Sequence, residues 1–477
     1  MMRPIRILST FILVAVLSAG IAPAVSPAVL AAPSQPATPA PAAVLLSPAD
    51  GLSTTTPIKH LIVLMQENHT FDNYFGTYPG ADGLPANVKM PVDPTNPKNN
   101  QFVEPFHIGD IALKDLSHSA KTFIDQYDNG KMDGFVYALD QHKQDGRLAM
   151  GYYDGTDIPF YWNLADNYVL FDRLFSSAKN GSFDNHMFLV AAAPPKTPNI
   201  SASDGYADVP TIFDRLQAKD ISWKYYTQNY DPTITYRNVV GKGNRESQVL
   251  WVPLLNFDRF IDNPVLSKNI VDLSQIYDDL HSNTLPAVSF ITPSGASEHP
   301  PGSIQTGQAF TKSLIQEIMR SKYWDSTAFL LMYDDWGGWY DHVVPPQVDA
   351  AGYGMRVPGI LVSPYARQGY IDSTQLDFTS VLKFIEQNWG VQPLTKRDAT
   401  ANNFVDAFNF DGGIRPPVYI SSVRTAPVTK AAVPVWVIVL AYAIAILLPV
   451  GVIATALIRS FVLSSRQPKT KTRSYAQ

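Results

Sequence analysis

Residues 333–342, YDDWGGWYDH, place three carboxylates, two glycines and a histidine directly behind the apolar run TAFLLM. Carboxylates behind a buried run are costly to desolvate unless positive charge or donors meet them. A second polar group, QENHTFDNYFG (66–76), also follows an apolar run and presents Glu67 and Asn68. Glu67, Asn68, Asp334 and Asp335 together form an oxygen-rich donor set suited to a divalent cation, with Ca²⁺, Zn²⁺, Mn²⁺ and Mg²⁺ all compatible. The chain has no cysteine, which excludes thiolate ligands, thiol nucleophiles and disulfides. Gly337 and Gly338 let the backbone turn sharply, returning Asp341 and His342 toward the same place.

Three further groups carry reactive side chains. DLSHSAKTFIDQYDNGKMDGF (115–135) contains His118. SSAKNGSFDNHMFLVAA (176–192) sets Ser182 after Gly181 and ahead of an apolar segment that includes His186. A serine there reads as a helix cap. It also suits a nucleophile, because free amides at a helix start hold anions. Ser176 and Ser177 are the alternative nucleophiles. SGASEHPPGS (294–303) carries Glu298 and His299. Of the nine histidines, His118, His186, His299 and His342 fall within these groups, as does His69.

The elements that must position them are legible as apolar runs. IKHLIVLMQ (58–66), LPAVSFITP (285–293), STAFLLMYD (326–334) and VPGILVSPY (357–365) have the length and composition of buried strands. Between the second and third, Phe310, Leu314, Ile315, Ile318 and Met319 share one helical face. FTSVLKFIEQNWG (378–390) predicts another helix, with Val381, Leu382, Ile385 and Trp389 inward and Gly390 as its stop. Alternating strands and helices predict an α/β fold with a mostly parallel sheet. Sites in such sheets lie beyond the C-terminal strand ends, where the polar groups fall. The stretch 190–285 is more polar and aromatic and less regular, as a cap or insertion would be. Its Trp223, Tyr225, Tyr226, Tyr230 and Trp251 read as packing in preference to a cage for a cationic headgroup.

QENHTFDNYFGTYPG resembles the ENRSFDHYFG signature of the bacterial phosphoesterase family that contains phospholipases C and acid phosphatases. DLSHS with GKMDGF, SFDNHMFL, EHPP, YDDWGGWYDHVVPP, RVPGILVSPYAR and FTSVLKFIEQNWG follow in the family's order over about 57–410. The resemblance implies an alkaline-phosphatase-like sandwich and metal ligation by Glu67, Asn68, Asp334 and Asp335. It implies Ser182 as nucleophile and His118 and His299 beside the phosphate, with His186 and His342 as further candidates. A phosphoserine intermediate and proton transfer by His299 follow from that assignment. Ser182 stands where many phospholipase-like members have threonine, and Asp184 where they have proline. Both departures shift the expectation toward plain phosphatase or phosphodiesterase chemistry. The substrate class is phosphomonoesters or phosphodiesters, phospholipids included. A non-catalytic surface binding protein on the same fold is the competing reading, and the complete ligand set argues against it. A sulfatase-like or phosphotransferase activity on a related fold is a third reading; sulfatases need a modified Cys or Ser in a distinct local motif, and the chain has no cysteine.

The ends suggest where the domain works. Residues 1–32 carry Arg3 and Arg6, an apolar run and small residues, the pattern of a secretory signal. Residues 33–56 form a Pro/Ala-rich linker. The phosphoesterase domain is expected over 57–415 and a linker over 416–434. Residues 435–458 carry no charge, and 24 residues of helix extend roughly 36 Å, enough to span a bilayer. The basic tail 459–477 then predicts a cytoplasmic C-terminus and an outward-facing domain. A net charge of −5 gives no reason to expect a nucleic-acid partner.

Overall fold

A computed structural model describes Ala49, residues 51–424 apart from short stretches near 97, 110–112, 195–208 and 242–245, and part of 445–459. The signal, most of the first linker and the basic tail lie outside the described residues. So does much of the 435–458 run. Among the described residues no helix is long and apolar enough to cross a membrane, so the expected C-terminal span has no support from the fold.

The centre is an eight-stranded sheet. Its strands are β1 (His60–Gln66), β2 (Val169–Phe171), β3 (Trp223–Thr227), β4 (Ile270–Asp272), β5 (Val288–Thr292), β6 (Thr327–Tyr333), β7 (Gly359–Val362) and β8 (Tyr370–Asp372). Their spatial order is β8-β2-β7-β6-β1-β5-β3-β4. β1 lies between β6 and β5 and is parallel to both. Its seven residues and the seven of β6 are all buried, as expected of strands covered on both faces. β7 alone runs against its neighbours, so the sheet is mostly parallel. The apolar run 357–365 correctly marks a strand, but its direction depends on a partner outside the run.

The region 190–285 is no separate cap. It supplies β3 and β4, which extend the sheet at one edge. Trp223, Tyr225 and Tyr226 are buried in the core. The Tyr225 hydroxyl donates to Trp251 O at 2.7 Å and that of Tyr226 to Asp279 at 2.7 Å. The packing reading of these aromatics holds.

Five helices carry the polar groups or pack beside the sheet: α1 (Phe71–Phe75), α2 (Ala120–Tyr127), α3 (Ser182–Ala191), α4 (Ile304–Arg320) and α5 (Phe378–Trp389). On α4, Leu314, Ile315, Ile318 and Met319 are buried, with Phe310 packed half-buried at the edge. α5 buries Val381, Leu382, Ile385 and Trp389 and ends on Gly390 at φ 66°, where glycine carries no Cβ penalty. Its start is fixed by a reciprocal cap between Asp377 and Ser380.

Candidate active site

Adjacent parallel strands bring the two acidic groups together. Gln66 is in register with Tyr333, so Glu67 and Asn68 emerge beside Asp334 and Asp335 at one sheet edge. All four are buried. Each carboxylate of the aspartate pair has one oxygen held by the backbone. Asn68 N donates to Asp334 Oδ1 at 2.9 Å, and Gly337 N donates to Asp335 Oδ1 at 2.8 Å. Asp335 Oδ2 is instead 3.4 Å from Ser182 Oγ, which also lies 3.3 Å from Glu67 Oε2.

Ser182 is the first residue of α3, and Gly181 occupies the capping position without a side-chain bond. Ser182 therefore is not the cap, and the leading amides of α3 remain open beside its hydroxyl. Asn185 shapes this loop from within the helix, accepting from Ala178 N at 2.9 Å and donating to Asn180 O at 2.8 Å. Ser176 and Ser177 are fully buried. Their hydroxyls bond Met355 O and Asp377, which leaves Ser182 as the serine at the acidic cluster.

His186, one turn along α3, is buried with Nε2 at 3.0 Å from Glu67 Oε1. Burial pushes its pKa down to about 4, so at neutral pH the ring is uncharged, and the Nε2 contact orients Glu67. Burial, then the charge of Asp334, drives the Glu67 carboxyl well above its usual range, and the same causes raise Asp335. Both side-chain atoms of Asn68 and Asp334 Oδ2 are buried without a hydrogen-bond partner. Glu67, His186 and Asp334 each offer a ligand atom within 4.8 Å of the others. Crowded carboxylates, inward oxygens without donors and an oxygen-rich set fit a divalent cation.

The glycine pair explains itself in three dimensions. Gly337 has φ +57°, and a Cβ there would lie 2.2 Å from Asn68 O; at Gly338, φ +84°, it would lie 2.8 Å from Leu116 Cβ. The turn thus presses against both neighbouring polar loops. Gly337→Ala combines left-handed strain with overpacking, together roughly 2–4 kcal/mol. Urea denaturation should show that loss, accompanied by weaker cation binding.

His118 lies beside Gly181 and against His299. Their rings meet edge to face at 5.8 Å, and His118 Cδ2 would lie 3.3 Å from a Cβ on Gly181. His299 sits in the loop after β5, which the Gln66 side chain ties to β1 by accepting from Glu298 N at 3.1 Å and donating to Ala296 O at 3.2 Å. Glu298 anchors that loop from below. It accepts from the hydroxyls of Tyr74, Tyr161 and Tyr333 at 2.5, 2.5 and 2.8 Å. These partners come from distant segments, and only the acid itself could be noticed in the sequence.

His342 makes its contacts elsewhere. Nδ1 is 2.7 Å from Asp72 Oδ2 and Nε2 is 3.3 Å from Asp82, within a buried network centred on Arg356. The turn that returns Asp341 and His342 leads to this network and not to the Ser182 cluster, because Arg356 and Asp72 hold them there. Arg356 does not stand out in the sequence; a charged residue directly before an apolar strand is the signal that it needs buried partners.

The Phosphoesterase family profile matches residues 58–392. The non-hemolytic phospholipase C of Pseudomonas aeruginosa is 27% identical over 418 residues, covering 74% of this chain and 57% of that protein. Phospholipase C B of Mycobacterium tuberculosis is 27% identical over 459 residues, covering 80% and 86% respectively. The chain thus spans little more than half the length of the first relative and most of the second. A solved protein of the alkaline phosphatase superfamily from Vibrio parahaemolyticus superposes with a TM-score of 0.34 at 10% identity, over 74% of this chain and 70% of that one; likeness that loose bears no weight on the site. With the profile covering well over half of its residues, this chain belongs to the phosphoesterase family.

Proposed function

We propose that the chain hydrolyses phosphate esters, with Ser182 as nucleophile and a divalent cation on Glu67, Asn68, Asp334 and Asp335. The observation that carries this reading is Ser182 Oγ placed between Glu67 Oε2 and Asp335 Oδ2 at the open start of α3. A cation on these oxygens offsets the carboxylate charge, favours the serine alkoxide and neutralises phosphoryl oxygens. The Ser182 oxygen attacks phosphorus and the ester oxygen leaves with its electron pair, taking up a proton. Amides at the start of α3 hold phosphoryl oxygens. Water then cleaves the phosphoserine, returning the serine hydroxyl and inorganic phosphate or a phosphomonoester. His186 keeps Glu67 oriented through the Nε2 contact.

Family membership and two phospholipase C relatives support phosphate esters as substrates, with phospholipids among them. The outward-facing, membrane-anchored placement rests on the apolar 435–458 run and the basic residues after it. Activity is tested with p-nitrophenyl phosphate and bis-p-nitrophenyl phosphate, each with and without chelator. Chelator-sensitive release supports the reading, and the preferred substrate separates monoesterase from diesterase. Inertness after every divalent metal is restored would favour the binding-protein alternative.

Removing the metal should also make stability depend on pH in a defined direction. Glu67 has a folded-state pKa raised above its ordinary 4.5, and Asp335 is raised likewise. Such groups stabilise the fold fully below their unfolded pKa and lose that contribution as pH rises through the folded value. Chelated protein should therefore lose stability from about pH 4.5 upward, whereas cation, which replaces the protons, restores it. Thermal melts across pH 4–8 should show a chelator-induced drop that widens with pH. A drop that is constant, or larger in acid, counts against the ligand set.

A further inference from the structure

Behind the loop that leads into Ser182, one arginine grips both that loop and the helix it feeds. Arg397 belongs to a short helix, α6 (Lys396–Thr400), whose start is fixed by a reciprocal cap between Thr395 and Asp398. Its side chain is 8% exposed. Nη2 donates to Ser177 O and to Asp377 Oδ2, both at 2.9 Å, and Nε donates to the same Asp377 oxygen at 3.2 Å. The guanidinium carbon lies over the ring of Phe188 on α3, 4.4 Å from its centre, and 5.0 Å from that of Tyr353.

Asp377, the cap of α5, is shared. Its Oδ2 also accepts from Ser177 Oγ at 2.8 Å, and Phe378 N donates to that hydroxyl at 3.0 Å. Ser177 is thereby held at its carbonyl by Arg397 and at its hydroxyl by the start of α5. The next residue, Ala178, donates its amide to Asn185 on α3. α6 also reaches the far end of α3, where Thr395 Oγ1 donates to Ala192 O at 3.2 Å. The contacts of Arg397 thus fall on the path into α3 and on α3 itself, and none falls on Glu67, Asn68, Asp334 or Asp335.

Ser182 needs such support. Its hydroxyl makes two long contacts, both to carboxylates, and Gly181 before it offers no side-chain cap. The position of that oxygen is therefore set by the 176–181 backbone and by the seating of α3. A guanidinium can meet two acceptors in its plane while an aromatic ring covers its face, which an ammonium cannot do. A nucleophile displaced by about 1 Å reacts on the order of 10²-fold more slowly.

We propose that Arg397 is a positioning residue for Ser182, locking the 176–181 loop and α3 so that the hydroxyl stays between Glu67 and Asp335. The catalytic consequence rests on Ser182 acting as the nucleophile; the grip on the loop does not.

The test compares Arg397→Lys, Asp349→Asn and Ser182→Ala in the full chain, with p-nitrophenyl ester kinetics, cation titration and amide hydrogen exchange. Lysine keeps a positive charge beside Asp377, so the fold is retained. Arg397→Lys is expected to lower kcat about 10- to 100-fold with KM and cation affinity near wild type. Exchange should quicken across 176–184 and stay unchanged in β1 and β6. Asp349 touches only the outer Nη1 of Arg397, at 3.3 Å, and is 41% exposed, so Asp349→Asn should leave kcat and exchange as they are. Wild-type kcat in Arg397→Lys, with Ser182→Ala inert, overturns this proposal and leaves the nucleophile standing. A loss shared by kcat and cation affinity, with faster exchange throughout the sheet, marks general loosening and also overturns it. Full turnover in Ser182→Ala overturns the nucleophile and the positioning role together, whereas faster exchange confined to 176–184 still supports the grip.

Discussion

Ser182→Ala is expected to lower p-nitrophenyl ester turnover by about 10⁴-fold or more, the scale seen when a nucleophile is deleted and only binding and electrostatics remain. The loss should appear in kcat with little change in fold. Ser182 is only half-buried, provides no helix cap and makes two long contacts, both to carboxylates. Cation binding should survive, because Glu67, Asn68, Asp334 and Asp335 are untouched. The alternative hydroxyls, on Ser176 and Ser177, are buried and bonded to Met355 O and Asp377, so they cannot substitute without the loop rearranging. Steady-state kinetics with cation titrations on the same samples decides the matter. A variant that keeps its turnover would leave the fold and the metal ligands intact but remove Ser182 from the chemistry.

Arg356→Met should cost about 3–5 kcal/mol of stability, the penalty for leaving buried charges without their partner. The guanidinium is fully buried. Its Nε reaches Asp341 Oδ1 at 2.8 Å and its Nη2 reaches Asp72 Oδ1 at 3.1 Å. Nη1 donates to the carbonyls of Asp82 and Asp172, both at 2.8 Å, and the ring of Phe71 lies 4.7 Å away. Asp72 begins α1 just after Asn68, and Asp341 closes the turn after Asp335. Arg356 therefore ties together the two loops that carry the proposed ligands. Cation affinity should fall along with stability. Lysine should rescue little, since a point charge cannot satisfy a fork of four acceptors. Combining Arg356→Met with Asp72→Asn should recover part of the loss, because one stranded charge is removed. Urea denaturation measures the first effect and calorimetric titration the second. A stability change below about 1 kcal/mol would mean that water or neighbouring donors already compensate these acids.

Much of this architecture can be read locally. The continuous apolar runs at 58–66 and 326–334 announce strands buried on both faces. The 3.6-residue spacing of Leu314, Ile315, Ile318 and Met319 announces a helix packed on one side. The acids directly behind two such strands point to the sheet edge where Glu67, Asn68, Asp334 and Asp335 meet. Direction and partnership were not legible. β7 reads like its neighbours yet runs antiparallel, and the irregular stretch 190–285 turned out to extend the sheet. His342, read as a site candidate by its nearness to Asp334, sits in the Arg356 network.

By itself, then, the sequence determined which segments are buried and which residue types follow them, because burial and turn chemistry depend on near neighbours along the chain. It also carried the family signature, since those motifs are short and contiguous. Tertiary structure decided which acid meets which loop: that Ser182 lies between Glu67 and Asp335, that three tyrosines converge on Glu298, and that Arg397 joins Ser177 and Asp377. Those pairings span from 20 to more than two hundred residues. They are selected by strand order and packing, which depend on free-energy differences summed over the whole core and leave no periodic trace at either partner.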